Sequence, residues 1–349
     1  YTTEGFGSNF VENIYDAATG KGSLIFDGKI TTIPENAFVS CTNLTWIDLP
    51  LTVTKISNGA FNGCSNIKEL TLPASITSLG VAFENCGGKL YVNCKLNYGA
   101  SYSYSGRFYK SLFTDVIIAD GIDRIGEYIF AYCEKLTNIT IPNSVTTIGK
   151  ATFYRCISLT TLSLPDNLTY IAEYLFNECS NLTSIVIPDK VASIGISAFA
   201  DCTSLSSIVL PPSLKTIANS AFRDCESVQN VYISDLSAWC KISFDTYGSN
   251  PLYGSKYKTG YAKLYLQGEE VTNLVIPDDI LKVNYGAFEG CGSITNVTIS
   301  GRVTSIGQNA FARCGNIESV TIGDSVATIG ANAFNNCDKL NTLTIGSGV

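Results

Sequence analysis

A chain of 349 residues with 23 Lys and Arg against 30 Asp and Glu carries a formal charge of -7 and a pI near 4.8, which argues against nucleic acid or an anionic membrane as partner, because phosphate contact needs clustered cations. His is absent, so Ser-His-Asp and Cys-His arrangements and His metal ligands are excluded. No apolar run approaches the ~20 residues that span a bilayer.

Residues 1–22, "YTTEGFGSNFVENIYDAATGKG", precede the first strand-like run at Leu24 to Phe26 and are expected to cap it. From 23 to 349 the chain repeats itself, and a search for internal periods comes before any division into domains. Phe followed three residues on by Cys occurs eleven times, at Phe38/Cys41, Phe61/Cys64, Phe83/Cys86, Phe130/Cys133, Phe153/Cys156, Phe176/Cys179, Phe199/Cys202, Phe222/Cys225, Phe288/Cys291, Phe311/Cys314 and Phe334/Cys337. Successive Phe residues are 23, 22, 47, 23, 23, 23, 23, 66, 23 and 23 apart, so the two long steps hold degraded units and the phase is kept throughout.

The unit "LTNITIPNSVTTIGKATFYRC" shows what else recurs. Leu136, Ile139 and Ile141 make a period-2 run, a short strand with one face buried, and Pro142 stops it. Val145 and Ile148 predict a second short extended piece before Gly149, and "KATFYRC" predicts one helical turn. The next unit repeats the strand at Leu159, Leu162 and Leu164. A unit of this length cannot bury its own apolar stripe, whereas stacked copies share one core, so the pattern predicts a solenoid with each Phe pointing inward.

Thirteen cysteines need an account. Their spacing fits no zinc site. Stacked rungs would bring equivalent Cys residues, among them Cys156, Cys179 and Cys202, about 5 Å apart, within disulfide range, so distance alone leaves two states open. Buried reduced thiols bonding loop backbone are favoured over disulfides. Cys94, eight residues after Cys86, takes the inward strand position that Leu164 takes after Cys156. Cys240 has no aligned counterpart; an exposed thiol and a packed role beside Trp239 both remain open.

Two stretches break the repeat. Around 95–115, Phe108 and Ser111 stand where Phe and Cys would, and the extra length carries Tyr98, Tyr102, Tyr104 and Tyr109. Around 235–270 lie Trp239, Phe244, Tyr247, Tyr253, Tyr257, Tyr261 and Tyr265, and "AKLYLQGEEVTNLVIP" reads equally as a hairpin or a rung. Tyr among Ser, Gly and Asn makes an adaptable contact surface. The candidate ligand residues are therefore Tyr98, Tyr102, Tyr104, Tyr109, Tyr232, Trp239, Tyr247, Tyr253, Tyr257 and Tyr261, against the alternative that this bulk fills gaps between irregular rungs.

The alternation places a small, nearly uncharged outer face on the strands: Thr140, Ser163, Val186, Val209, Tyr232, Val275, Thr298 and Thr321 in one row. Asn138, Thr161, Ser184, Ser207, Asn230, Asn273, Asn296 and Ser319 form the next. The adjacent pairs Asp278/Asp279 and Glu269/Glu270 point to opposite sides of extended chain and read as solvated turns. The chain stops at "LTIGSGV", a rung strand with an uncovered edge that invites end-to-end self-association.

The repeat resembles the BspA-like leucine-rich repeat family, with "LTSIVIPDKVASIGISAFADC" and "SVTIGDSVATIGANAFNNC" following its form nearly letter for letter. The resemblance implies a right-handed, β-rich leucine-rich repeat solenoid of about thirteen units. It further implies a non-enzymatic, cofactor-free adhesion protein, secreted or at the bacterial cell surface, whose signal peptide or lipid anchor lies outside this chain. Its partners would be host extracellular-matrix proteins or other cells. A carbohydrate-binding accessory role in glycan uptake is the alternative, and a hydrolase with a carboxylate pair formed only on folding is a third.

Overall fold

The computed structural model describes all residues except 1–4, 17, 19–20, 98–105, 246–247, 254–261 and 300. The repeat folds as a β-solenoid of about 13 turns with rungs about 23 residues apart. By contact density the chain falls into two compact units, Tyr1–Val145 and Thr146–Val349.

In the first unit, the strands Trp46–Ile47, Glu69–Leu72, Gly87–Val92, Leu112–Ile118 and Asn138–Thr140 pair in chain order as one parallel sheet. Thr32–Ile33, Lys55–Ile56 and Ser78–Leu79 form a second. An antiparallel ribbon of Phe10–Asp16 and Lys21–Phe26 lies ahead of them. Phe6 packs 6.3 Å from Phe38 and 4.9 Å from Phe26 by ring centroids, closing the Phe column at that end.

In the second unit, Ser184–Val186, Ser207–Leu210, Asn230–Ile233 and Lys263–Leu266 form a parallel sheet finished by the antiparallel Glu269–Glu270. A separate sheet holds Asn273–Val275, Asn296–Ile299, Ser319–Ile322 and Thr342–Ile345. The second pieces of each rung pair likewise, Tyr170–Ile171 through Ser243–Phe244 and Lys282–Val283 through Thr328–Ile329.

The inward residues are the expected ones. Phe61, Phe83, Phe153, Phe176, Phe199, Phe222, Phe288 and Phe311 are all fully buried and Phe130 is nearly so, while Phe38 and Phe334 lie in outer rungs. The rings stack along the rungs, with centroids 5.3 Å apart for Phe38 and Phe61, 5.2 Å for Phe199 and Phe222, and 5.2 Å for Phe311 and Phe334. Phe108 joins this column 5.1 Å from Phe130, and Ser111 takes the thiol's place with its Oγ 3.4 Å from Cys133 Sγ.

The segment around each Phe is not the helical turn its composition predicts. In every Phe-Cys unit but that of Phe83, where only Asn85 does so, residues two before and two after the Phe adopt left-handed backbone, as Ser197 (φ 51) and Asp201 (φ 62) do around Phe199. That geometry turns alternate N–H groups along the stacking direction: Ser197, Phe199 and Asp201 donate to the carbonyls of Asn219, Ala221 and Arg223 at 3.1, 2.8 and 2.8 Å. A helix would have spent those donors within the rung; here they bind the next rung, which explains the Gly, Asn, Ser and Asp found at many of these positions. Tyr128, Tyr132 and Tyr174 take the same conformation without that ease.

This geometry also answers for the cysteines. The Phe176 carbonyl accepts the N–H of Cys179 at 3.0 Å and, with its other lone pair, the thiol of Cys202 at 3.1 Å. Cys179 donates to Phe153, Cys225 to Phe199 and Cys314 to Phe288 in the same way, at 3.1, 3.0 and 3.0 Å. An apolar group with one weak donor fits this place. All thirteen cysteines are free thiols, and burial pushes Cys64 and Cys94 up to about 11 and Cys133 and Cys240 up to about 12. Alkylation of native protein at pH 8 is expected to label the two half-exposed thiols, Cys41 and Cys337, while denaturation without reductant frees all thirteen; a lower denatured count would mean disulfides.

Three local expectations change. Val92, not Cys94, pairs with Leu72; Leu90 follows Cys86 by four residues where Leu70 follows Cys64 by six, so Cys94 is buried beyond the strand's end. Leu162 and Leu164 are buried, but no strand forms there; Leu162-Ser163-Leu164 lacks the β-branched residues that strands favour. In the second irregular stretch both alternatives hold at once, since Lys263–Leu266 pairs parallel with Asn230–Ile233 as a rung and antiparallel with Glu269–Glu270 as a hairpin. Gln267 (φ 53) and Gly268 (φ 91) supply its two-residue turn.

Candidate functional site

Strand alternation puts the inward Ile185, Ile208, Val231 and Leu264 into the core and turns their neighbours out. In register across the first sheet of the second unit lie Val186, Val209, Tyr232 and Tyr265. Val186 is 61% exposed and Val209 38%, and the two half-buried tyrosine rings stack at 4.9 Å and 26°. Ser184, Ser207, Asn230 and Lys263 run beside them, and Lys263 is held by Glu270 at 2.9 Å. The result is an apolar and aromatic stripe four strands wide with a polar border, a composition that suits contact with a protein.

The other sheet of this unit continues the outer rows differently. Val275 is 58% exposed, and Thr298, Thr321 and Thr344 are exposed in register with it. Asn296 donates to Asn273 at 2.7 Å and Ser319 to Asn296 at 2.6 Å, so this polar row bonds along itself from strand to strand.

Of the residues expected at a ligand surface, Tyr98, Tyr102, Tyr104, Tyr247, Tyr257 and Tyr261 lie outside the described residues. Tyr109 is half-buried in the first unit, its ring edge-on to Tyr132 at 5.2 Å and the Lys110 ammonium 5.2 Å from its centroid. Tyr253 is half-buried beneath the Arg313 guanidinium, 5.0 Å from its ring. Tyr232 stands on the exposed stripe. Trp239 is a correction: it sits in the only helix among the described residues, Leu236–Lys241, 1% exposed and edge-on to Phe244 at 5.5 Å. The N-capping carboxylate of Asp235 starts that helix, and its inward face buries Trp239 together with Cys240, so the ring fills the core where the strand-to-strand turn is replaced. Cys240 accordingly takes the packed role. Tyr265 was missed as an outer-row residue because the hairpin obscured its alignment with Tyr232; the "VYI" and "LYL" of these two strands carry that signal.

Among the described residues no three His, Cys, Asp or Glu side chains gather as metal ligands. Asp279 is engaged by Lys241 and Ser237, which hold its carboxyl below the usual range. Burial raises Glu289 to about 7, with Arg313 opposing. No described helix is long and apolar enough to cross a membrane.

The profile described as BspA type leucine rich repeat region matches residues 13–134, 101–229 and 261–349. Among solved structures, a leucine-rich repeat protein from Bacteroides ovatus is 22% identical with a TM-score of 0.58, covering 96% of this chain and 93% of that one. A leucine rich cell surface protein from Faecalibacterium prausnitzii is 21% identical with a TM-score of 0.37, covering 99% and 94%. No curated protein matches.

Proposed function

Because the chain belongs to the BspA-type leucine-rich repeat family, whose solenoids are typically non-enzymatic, we propose that it is a cell-surface or secreted recognition protein. Its partner is a host extracellular-matrix or cell-surface protein, met by the Val186–Val209–Tyr232–Tyr265 stripe. The observation that carries this reading is the stacked, half-exposed Tyr232–Tyr265 pair at the end of two exposed valines. Tyrosine anchors in an apolar strip give contact area at low entropic cost. Each ring of the pair also covers one face of the other, which leaves less face for a sugar than a lone platform offers.

Purified protein is expected to bind at least one matrix glycoprotein on an immobilised panel, and Tyr232→Ala with Tyr265→Ala to weaken that binding by about tenfold or more. Retained affinity in this variant would remove the stripe. Binding confined to free polysaccharides would replace the protein partner with a glycan.

A further inference from the structure

We infer that the second unit holds a binding cleft for a carboxylate ligand, built where the helix Leu236–Lys241 replaces the strand-to-strand turn. The cleft has a volume of about 540 Å³, within the range of sites for small ligands, about 300–1,000 Å³. It is lined by residues 212–215 of one turn, by the helix with its cap Asp235, and by Asp279 of the following rung. The strand Asn230–Ile233 leads from Tyr232 straight to Asp235, so the cleft opens at the end of a strand that carries the tyrosine stripe.

Four charged side chains line this cleft, and three of them are already engaged. Asp279 uses both carboxylate oxygens, Oδ1 on the Ser237 hydroxyl at 2.7 Å and Oδ2 on the Lys241 ammonium. Asp235 Oδ1 accepts the Ala238 N–H at 3.0 Å as the helix cap. Ser213 is committed as well, its hydroxyl donating to the Val191 carbonyl at 2.6 Å. Among the described residues lining the cleft, Lys215 is the one charged side chain with no hydrogen bond or ion pair. Its place in the stack keeps it so. The Lys215 N–H donates to the Ala192 carbonyl at 2.9 Å and its carbonyl accepts the Ser243 N–H at 2.8 Å, and neither neighbour brings a carboxylate to neutralise it.

The cleft therefore presents a free ammonium together with one open carboxylate oxygen, Asp235 Oδ2. A carboxylate answers the ammonium with a charge-assisted hydrogen bond. Asp235 sets a second requirement, an N–H or O–H donor next to that carboxylate, and it repels a second acid. Pro212 and Ala238 supply apolar wall for the ligand's stem. An acidic side chain with its peptide N–H meets these conditions, and so does a uronic acid with its ring hydroxyls.

NMR titration of the full chain, carrying 13C-enriched lysine and 15N in the backbone, tests this with three probes: N-acetylglutamate α-amide, glucuronate and N-acetyllysine α-amide. The Lys215 side-chain signal and the amides of Ser213 and Ala238 are expected to shift saturably with at least one of the two acids and not with the lysine derivative. A response to N-acetylglutamate α-amide assigns the cleft to an acidic side chain, and one confined to glucuronate assigns it to an acidic sugar; either upholds the carboxylate site. Lys215→Gln, which keeps most of the stem and removes the charge, is expected to weaken binding about tenfold or more. Tyr232→Ala with Tyr265→Ala should leave the titration unchanged, so the stripe and the cleft stand or fall separately. Absence of any shift with both acids would overturn the site. So would shifts that persist in Lys215→Gln, or that appear equally at Lys190, an exposed lysine bonded to Asn167.

Discussion

Phe199→Ala is expected to destabilise the protein by about 3–5 kcal/mol, the range for emptying a fully buried aromatic site. Phe199 is 0% exposed and stacked between Phe176 at 5.3 Å and Phe222 at 5.2 Å, with interplanar angles of 16° and 2°. Truncation removes the ring's own burial and also one stacking partner from each neighbour, and the surrounding rungs cannot close the gap because Ser197, Phe199 and Asp201 are tied to the next rung by backbone bonds. The same change at Phe38, 9% exposed and in an outer rung, should cost less. Thermal melts of the two variants beside the parent measure this, and a melting temperature unchanged by Phe199→Ala would show that the column does not hold the core.

The second large effect is expected at Gly106. A Cβ built there lies 1.5 Å from the Tyr128 carbonyl oxygen and 2.8 Å from that of Ile129. Both obstacles are backbone, so no side chain can swing aside. Gly106→Ala must push apart the rung carrying Phe108 and the rung carrying Phe130, and it threatens the 3.1 Å bond from the Phe108 N–H to the Ile129 carbonyl. Overpacking of about 1–3 kcal/mol and a lost hydrogen bond of about 1 kcal/mol act together. Gly301→Ala, where a Cβ meets nothing within 4 Å, should stay within about 0.5 kcal/mol of the parent. Denaturant midpoints that rank the two variants equally would refute the close approach.

The recognition surface divides along the same line as these two effects. A solenoid needs only one inward residue pattern per rung, and the Phe, Ile and Cys positions repeat that pattern, so the core was legible from Phe38 to Phe334 without coordinates. The outer rows were legible too, because strand alternation fixes which residues must face away once the inward ones are known. Tyr232 was placed on that face from its spacing to Val209 alone.

Irregular stretches obey no such rule, and there only tertiary structure decided. Trp239 and Tyr232 are seven residues apart in one aromatic-rich segment. The helix Leu236–Lys241 turns the indole into the core, while the strand Asn230–Ile233 turns the phenol out. Tyr265 joined Tyr232 because Lys263–Leu266 pairs in parallel with Asn230–Ile233 as a rung, a pairing between strands far apart in sequence. The role of the thiols was likewise half visible: periodicity marked them as packing residues, but their bond to the Phe carbonyl of the preceding rung follows from left-handed turns that composition did not announce. Local periodicity thus determined the scaffold, since every rung meets the same neighbours. Contacts made once in the chain, at the hairpin and the helix, were settled by packing between residues far apart in sequence.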